Sequence, residues 1–209
     1  MLYIETNEAW KQDKTLVIPV YEDKKLPARL TEALDHDLSN EINAKAGCLS
    51  TISTLGRLPM QTICFIGMGN SETINYADAK RYFGIAAHAY PQSCLLLDEA
   101  LCTSLDKDTA AKAAGYASVY STYRFAKINK AAEKDADITL AASEDVRCGA
   151  EEGVLLAQCI CHARQIGNLP PNYMTPEAFV EEAQVLAHEL SLDIKVLDKK
   201  ALRKIGAGA

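Results

Sequence analysis

Four groups of residues in this chain have types and spacings that could support chemistry. Gly67-Met68-Gly69-Asn70 follows an apolar run and could cradle a phosphate through backbone N–H groups. The third glycine of a dinucleotide-binding loop is absent, however, and Glu72 holds that place, where an acid repels phosphate. A tight exit from a strand accounts for the same residues. Cys159, Cys161 and His162 are soft ligands close in sequence. On a helix, residues two apart point about 200° from one another, so the two thiols do not converge on one ion without a further ligand from elsewhere. Ordinary core and surface thiols are the simpler reading. Asp35 and Asp37, and likewise Asp106 and Asp108, form D-x-D pairs suited to a hard cation. No further carboxylate follows at calcium-loop spacing, which favours solvated helix caps. His36, His88 and His188 fall on predicted helices with no serine or cysteine nucleophile pattern beside them. No residue is therefore assigned a catalytic, cofactor-binding or metal role.

The elements that must position these residues alternate between strand and helix. Leu2–Ile4 reads as a short strand. Thr15–Val20 is a continuous apolar run of the kind buried on both faces of a sheet. Pro27 can start a helix, and Leu30, Ala33, Leu34 and Leu38 follow with helical spacing up to Gly47. Cys48–Leu55 and Thr62–Ile66 read as strands joined in a hairpin by the turn Gly56-Arg57-Leu58-Pro59. A helix is predicted over Tyr76–Ala89, with Ala79, Tyr82, Phe83, Ala86 and Ala87 facing inward and Pro91 beyond it. Next come a strand over Ser93–Leu97, a helix over Thr109–Phe125, a strand over Asp137–Ala141 and a helix over Glu144–Ile166. Gly167 stands where a left-handed C′ residue belongs. This order predicts a three-layer α/β/α fold with a mixed, mostly parallel sheet and one antiparallel element.

The punctuation then changes. The prolines of Asn168-Leu169-Pro170-Pro171-Asn172 exclude helix. Thr175 as N-cap, Pro176 at N1 and Glu177 in the first turn open a helix to about Leu190. A strand over Asp193–Leu197 and a short helix from Asp198 to Lys204 complete a helix–strand–helix extension. Such a unit cannot bury its own apolar faces. The expected organisation is a first domain over residues 1–167, then a linker and the opening of a second, truncated domain over residues 168–209.

Bulk properties narrow the function classes. The 209 residues carry a net charge of −6, which argues against broad binding to nucleic acid. Lys24, Lys25, Arg29, Lys127 and Lys130 are few and dispersed. No apolar run approaches the roughly 18 residues of a membrane span, and the first residues lack a signal-peptide pattern. Seven cysteines, an odd number, in a chain of this size fit free thiols in a reducing cytoplasm.

Asn168-Leu169-Pro170-Pro171-Asn172-Tyr173-Met174-Thr175-Pro176 resembles the N-x-P-P-N-x-x-T-P segment of the leucine aminopeptidase (cytosol aminopeptidase) family. Glu152-Gly153-Val154 and Arg164 look like that family's inter-domain helix, and Leu192–Asp198 is similar to its G-L-x-V-x-V-L-D strand. Ile205–Ala209 looks like its G-M-G-A turn, and Tyr123-Arg124-Phe125 matches a Y-R-F on a helix of its amino-terminal domain. The resemblance is dense from Glu152 onward and looser before it. It implies an amino-terminal domain related to macro domains, followed by a catalytic domain. It also implies a hexamer acting on peptides with two divalent metals, zinc, manganese or magnesium. The family's metal ligands and catalytic residues lie beyond the turn at Gly206, so none is carried to a position here.

The first reading is therefore a non-catalytic amino-terminal domain of a two-metal leucyl aminopeptidase. Its partners would be its own catalytic domain and neighbouring subunits, in the cytoplasm, with neither nucleic acid nor membrane. The alternative is a stand-alone macro-like binding module for a nucleotide-type ligand or DNA.

Overall fold

The computed structural model describes residues 2–4, 6–11, 13–26, 30, 32, 38, 41–97, 104–125 and 136–207. Contacts divide the chain into two compact units, Met1–His162 and Ala163–Ala209.

The first unit is built on a six-stranded sheet. Its strands are β1 (Leu2–Ile4), β2 (Thr15–Val20), β3 (Leu49–Ser53), β4 (Thr62–Gly67), β5 (Ser93–Leu96) and β6 (Thr139–Ala141), in the order β1-β6-β5-β2-β4-β3. All neighbours run parallel except the hairpin of β3 and β4. At the head of the hairpin, Leu55 and Gly56 have φ of 50° and 78°, and Arg57 N–H donates to Thr54 O at 3.0 Å. This tight turn opens the loop over residues 54–61, which Thr54 N–H closes by donating to Gln61 O at 3.0 Å. The hairpin, the parallel sheet and the single antiparallel strand are those expected from the sequence.

Successive residues of the central strands feed opposite faces, as the two-residue period requires. Leu16, Ile18, Ile63, Phe65, Cys94 and Leu96 pack on one side with Ala9 and Trp10, Leu30, Leu38 and Met60. Ala9 closes α1 (Thr6–Ala9). Val17, Cys64, Ile66, Leu95 and Leu140 pack on the other with three long helices. These are α2 (Tyr76–Ala89), α3 (Lys107–Tyr120) and α4 (Glu144–Asn168). Both faces are covered, which explains the near-continuous apolar strands. The helix read from Pro27 lies mostly outside the described residues, although Leu30 and Leu38 are buried as its spacing requires.

Helix α2 begins and ends where its sequence says. Asn75 accepts from Asp78 N–H at 3.0 Å, and Ala79, Phe83, Ala86 and Ala87 are buried. Helix α3 ends at Tyr120, five residues before the expected Phe125, so Tyr123-Arg124-Phe125 lies beyond it. Thr122 Oγ1 donates to Ser118 O at 2.9 Å and to Val119 O at 3.1 Å, taking carbonyls that a continuing helix would use.

Gly167 does not act as a C′ residue. Helix α4 runs through it to Asn168, and its φ is not positive. Pro170 and Pro171 set the limit instead, by disfavouring helix in the residue before each ring. A Cβ at Gly167 would meet nothing within 4 Å. Gly167→Ala is therefore expected to stabilise the protein by about 0.5–1 kcal/mol, because alanine narrows the unfolded ensemble of a helical position without a clash. An unchanged or lower denaturation midpoint would contradict this.

The second unit holds α5 (Pro176–Glu189) and α6 (Lys199–Lys204). Thr175 Oγ1 accepts from Ala178 N–H at 3.2 Å, and Pro176 stands at the helix start, as expected. Leu192 N–H returns to Ala187 O at 2.8 Å, closing α5 with Ser191 at φ 53°. Asp198 caps α6 by accepting from Ala201 N–H at 2.8 Å. Asp193–Leu197 is not a strand, contrary to expectation. Its residues alternate as a strand would, but no described residue supplies the neighbouring ladder that a strand needs. Leu192, Ile194 and Val196 remain 60%, 46% and 47% exposed. Phe179, Val185, Leu186 and Leu190 of the α5 region are exposed too.

Candidate functional site

The carboxyl end of β2 is where the topology reverses. After β4 and β5 the chain passes to α2 and α3 on one face of the sheet. After β2 it passes to Leu30 and Leu38 on the other face. In open α/β sheets such a reversal opens a crevice outside the strand ends, where ligands bind. A cleft of about 770 Å³ lies here, lined by Val20–Glu22, Lys24–Leu26 and Ile42–Lys45. Val20 and Tyr21 are buried, while Lys24, Lys25 and Lys45 are exposed.

Backbone and side-chain bonds fix the mouth of this cleft. Met68 N–H donates to Val20 O at 2.8 Å, Glu22 N–H to Gly69 O at 3.0 Å, and Gly69 N–H to Ala44 O at 3.0 Å. The Asp23 carboxylate accepts from Ser71 N–H at 2.8 Å and from Ser71 Oγ at 2.5 Å. The Ser71 hydroxyl, then its backbone N–H, hold the Asp23 carboxyl below the usual carboxylate range. Gly67-Met68-Gly69-Asn70 is thus a tight strand exit whose amides at Met68 and Gly69 are already used. It braces the cleft and does not itself cradle a phosphate.

Among the described residues, the other groups singled out in the sequence do not assemble. Asp106 is the N-cap of α3, accepting from Thr109 N–H at 2.8 Å and Thr109 Oγ1 at 2.7 Å. The Thr109 hydroxyl and backbone N–H lower its pKa. Asp35, Asp37, His36, Cys102, Arg29, Lys127 and Lys130 lie outside the described residues. His88 Nδ1 is 3.3 Å from Ser121 O, and His188 is exposed in the last turn of α5. Cys159 and His162 are exposed on α4, and Cys161 is half-buried. Among the described residues, no three His, Cys, Asp or Glu side chains could hold a metal together. Cys64 and Cys94 are buried, and desolvation pushes their thiols up to about 11 and about 12.

Two features were not apparent in the sequence. Lys24 and Lys25, read there as dispersed, meet Lys45 around one cleft. Lys80 Nζ lies 4.8 Å from the Tyr76 ring centroid and 4.6 Å from that of Tyr116, between α2 and α3. The signal for the first was a pair of lysines just past a strand buried on both faces. Lys45, twenty residues on, gives no such sign.

A mostly parallel α/β sheet covered on both faces, with a cleft at its strand ends, defines a class: an open α/β domain. Residues 17–131 match the model of the cytosol aminopeptidase family, N-terminal domain, and the chain belongs to that family. It is 31% identical over 161 residues to probable cytosol aminopeptidases of Mycobacterium tuberculosis strains H37Ra and H37Rv. That alignment covers 72% of this chain and 30% of each relative. Among solved structures, the bottromycin maturation enzyme BotP superposes with a TM-score of 0.75 at 22% identity, over 93% of this chain and 41% of that one. The same enzyme in complex with Mn gives 0.75 at 19% identity, over 93% and 40%. These two likenesses concern the fold.

Proposed function

We propose that this chain serves as the non-catalytic amino-terminal part of a two-metal aminopeptidase that removes amino-terminal residues from peptides in the cytoplasm. The observation that carries this reading is the match of residues 17–131 to the family's N-terminal domain, in a chain spanning 30% of its curated relatives. The two divalent metals, zinc, manganese or magnesium, would sit in the part of such relatives that this chain does not span. The described residues do not fit a two-metal centre. Asp106 is occupied as a helix cap, and the described histidines and cysteines do not cluster.

In this reading residues 1–167 form a macro-like domain, and residues 168–209 open the catalytic domain. The exposed apolar side chains of the second unit, Phe179, Leu186, Leu190, Ile194 and Val196 among them, support that assignment, since covering apolar surface is favourable. The amino-terminal domain then packs on the catalytic domain and on neighbouring subunits of a hexamer, and shapes access to the active site.

Purified chain with added manganese is expected to release no p-nitroaniline from leucine p-nitroanilide. Release that scales with the amount of chain and stops on chelation would overturn the non-catalytic reading.

No helix among the described residues is long and apolar enough to cross a membrane.

A further inference from the structure

We propose that the free edge of β3 pairs antiparallel with β3 of a second copy of this chain, joining two sheets across a two-fold axis. β3 ends the strand order, and among the described residues β4 is its one strand neighbour. Gly67 N–H donates to Cys48 O at 2.8 Å, and Thr54 N–H to Gln61 O at 3.0 Å. Bonded and non-bonded pairs alternate along an antiparallel ladder, so Ser50 and Ile52 also bond to β4. The N–H and C=O groups of Leu49, Thr51 and Ser53 then point away from the sheet. These three residues are exposed, and among the described residues no backbone hydrogen bond outside the β3–β4 ladder involves them. Sheet edges are ordinarily protected by shortness, charge, proline or a bulge. The opposite edge, β1, has three residues. β3 has five, its register is unbroken, and Cys48 to Leu55 contains neither a charged residue nor proline.

The free groups select the occupant and its register. A two-fold axis at Thr51 sets Leu49 opposite Ser53 of the second copy, and Thr51 opposite Thr51. All three outward residues are then paired, and each of the three pairs exchanges two hydrogen bonds, six in all. A slip of two residues loses one pair, and a slip of one sets outward groups against inward ones. Threonine facing threonine is a favourable cross-strand pair, and no like charges meet along the strand. The same register carries Leu55, 85% exposed at the hairpin head, toward Gly47 of the second copy. Gly47 stands beside apolar neighbours, since a Cβ there would lie 3.3 Å from Ile85 Cδ1 and 3.6 Å from Tyr82 Cδ1. Ile85 and Leu49 also line a cleft of about 680 Å³. Covering Leu55 in this way is favourable. The surface is small, so the association is weak and concentration-dependent. The inference rests on β3 and its neighbours, and failure of the aminopeptidase reading leaves it standing.

The test is sedimentation of the full chain over a range of concentrations, with amide hydrogen exchange beside it. The chain is expected to move from monomer toward twice that mass as concentration rises. The amides of Leu49, Thr51 and Ser53 should gain protection in step, while those of Ser50 and Ile52 are protected throughout. T51K and T51E each set two like charges face to face at the axis, and each should remain a monomer. Mixed in equal amounts they should form the dimer again, because opposite charges then meet at the same point. Both variants lose the exposed hydroxyl contact of Thr51 to Tyr90. T51V loses it too but keeps a β-branched side chain, and should dimerise as the parent does. Four results would overturn the proposal: a monomer at every concentration up to about 1 mM, dimerisation of T51K equal to the parent's, a mixture of the folded charge variants that stays monomeric, or dimers whose three outward amides exchange freely, as in association through the apolar side chains of the second unit.

Discussion

Gly153→Ala is expected to lower the thermal midpoint by roughly 6–12 °C, through a loss of about 3 kcal/mol at the α3–α4 contact. A Cβ at Gly153 would lie 2.1 Å from Lys112 O and 2.8 Å from Tyr116 N, both backbone atoms of α3. No side chain can rotate away to relieve this, so the helices must separate. Separation would loosen the seam at the close approach of Gly115 to Ala150, both buried. Gly115 and Gly149 line the same seam, their Cβ positions 2.1 Å from Ala150 O and 2.4 Å from Asp108 O. The same substitution at Gly167 of the same helix carries the opposite sign, because there the added methyl meets open space. Melting the two variants beside the parent checks both. Equal midpoints for the two would refute the seam argument.

That contrast shows what a single sequence does and does not hold. Gly149 and Gly153 are four apart, so they share one face of α4, and periodicity alone makes that visible. Which glycine meets a backbone and which meets solvent depends on the partner helix, and periodicity is silent on that. Local chemistry was legible wherever it was self-contained. The caps at Asp106, Thr175 and Asp198 and the two-faced burial of Thr15–Val20 and Thr62–Ile66 all follow from residues near one another in the chain, whereas the turn expected at Gly56–Pro59 begins one residue earlier, at Leu55. Asp193–Leu197 misled for the reverse reason. Alternating apolar residues describe a strand's side chains, whereas its stability comes from a hydrogen-bonded neighbour that no local pattern guarantees. The end of α3 was missed because the hydroxyl of Thr122 competes for the carbonyls of the last turn.

The cleft was hidden by topology. Lys24 and Lys25 sit at the end of β2, and Lys45 precedes β3, the edge strand paired with β4. Only because β4 lies beside β2 do these lysines come together. Strand order is set by the whole set of connections, so no local reading of lysine spacing could supply it. The family resemblance reached the opposite part of the chain, from Glu152 onward, and so gave no account of this cleft either.

Alkaline pH should destabilise this protein through two buried thiols, and replacing them should remove most of that loss. Cys64 and Cys94 lie in the central strands β4 and β5, one on each face of the sheet. Desolvation holds the folded thiols neutral up to about 11 and about 12, against 9.0 for an exposed thiol. Lys14 pulls the Cys94 value down, and Thr51 and Tyr90 that of Cys64, but burial outweighs them. The sign follows from proton counts. Below pH 9 both states keep both protons, and the stability is fully present. Above it the unfolded chain releases protons that the folded chain retains, so stability falls until the folded thiols ionise in turn. At about pH 11 each thiol costs on the order of 2 kcal/mol, a large share of the roughly 5–15 kcal/mol that holds a typical domain together. The variant C64V/C94V fills both strand positions with a residue suited to sheets and carries no ionisable group there. Its stability at neutral pH reports any packing difference as a constant offset, while tyrosine and lysine ionisation is common to both proteins. Urea unfolding from pH 8 to pH 11 should give curves for parent and variant that diverge above pH 9, the parent falling faster by about 4 kcal/mol at the upper end. Parallel curves across that range would show that the two thiols do not govern alkaline stability.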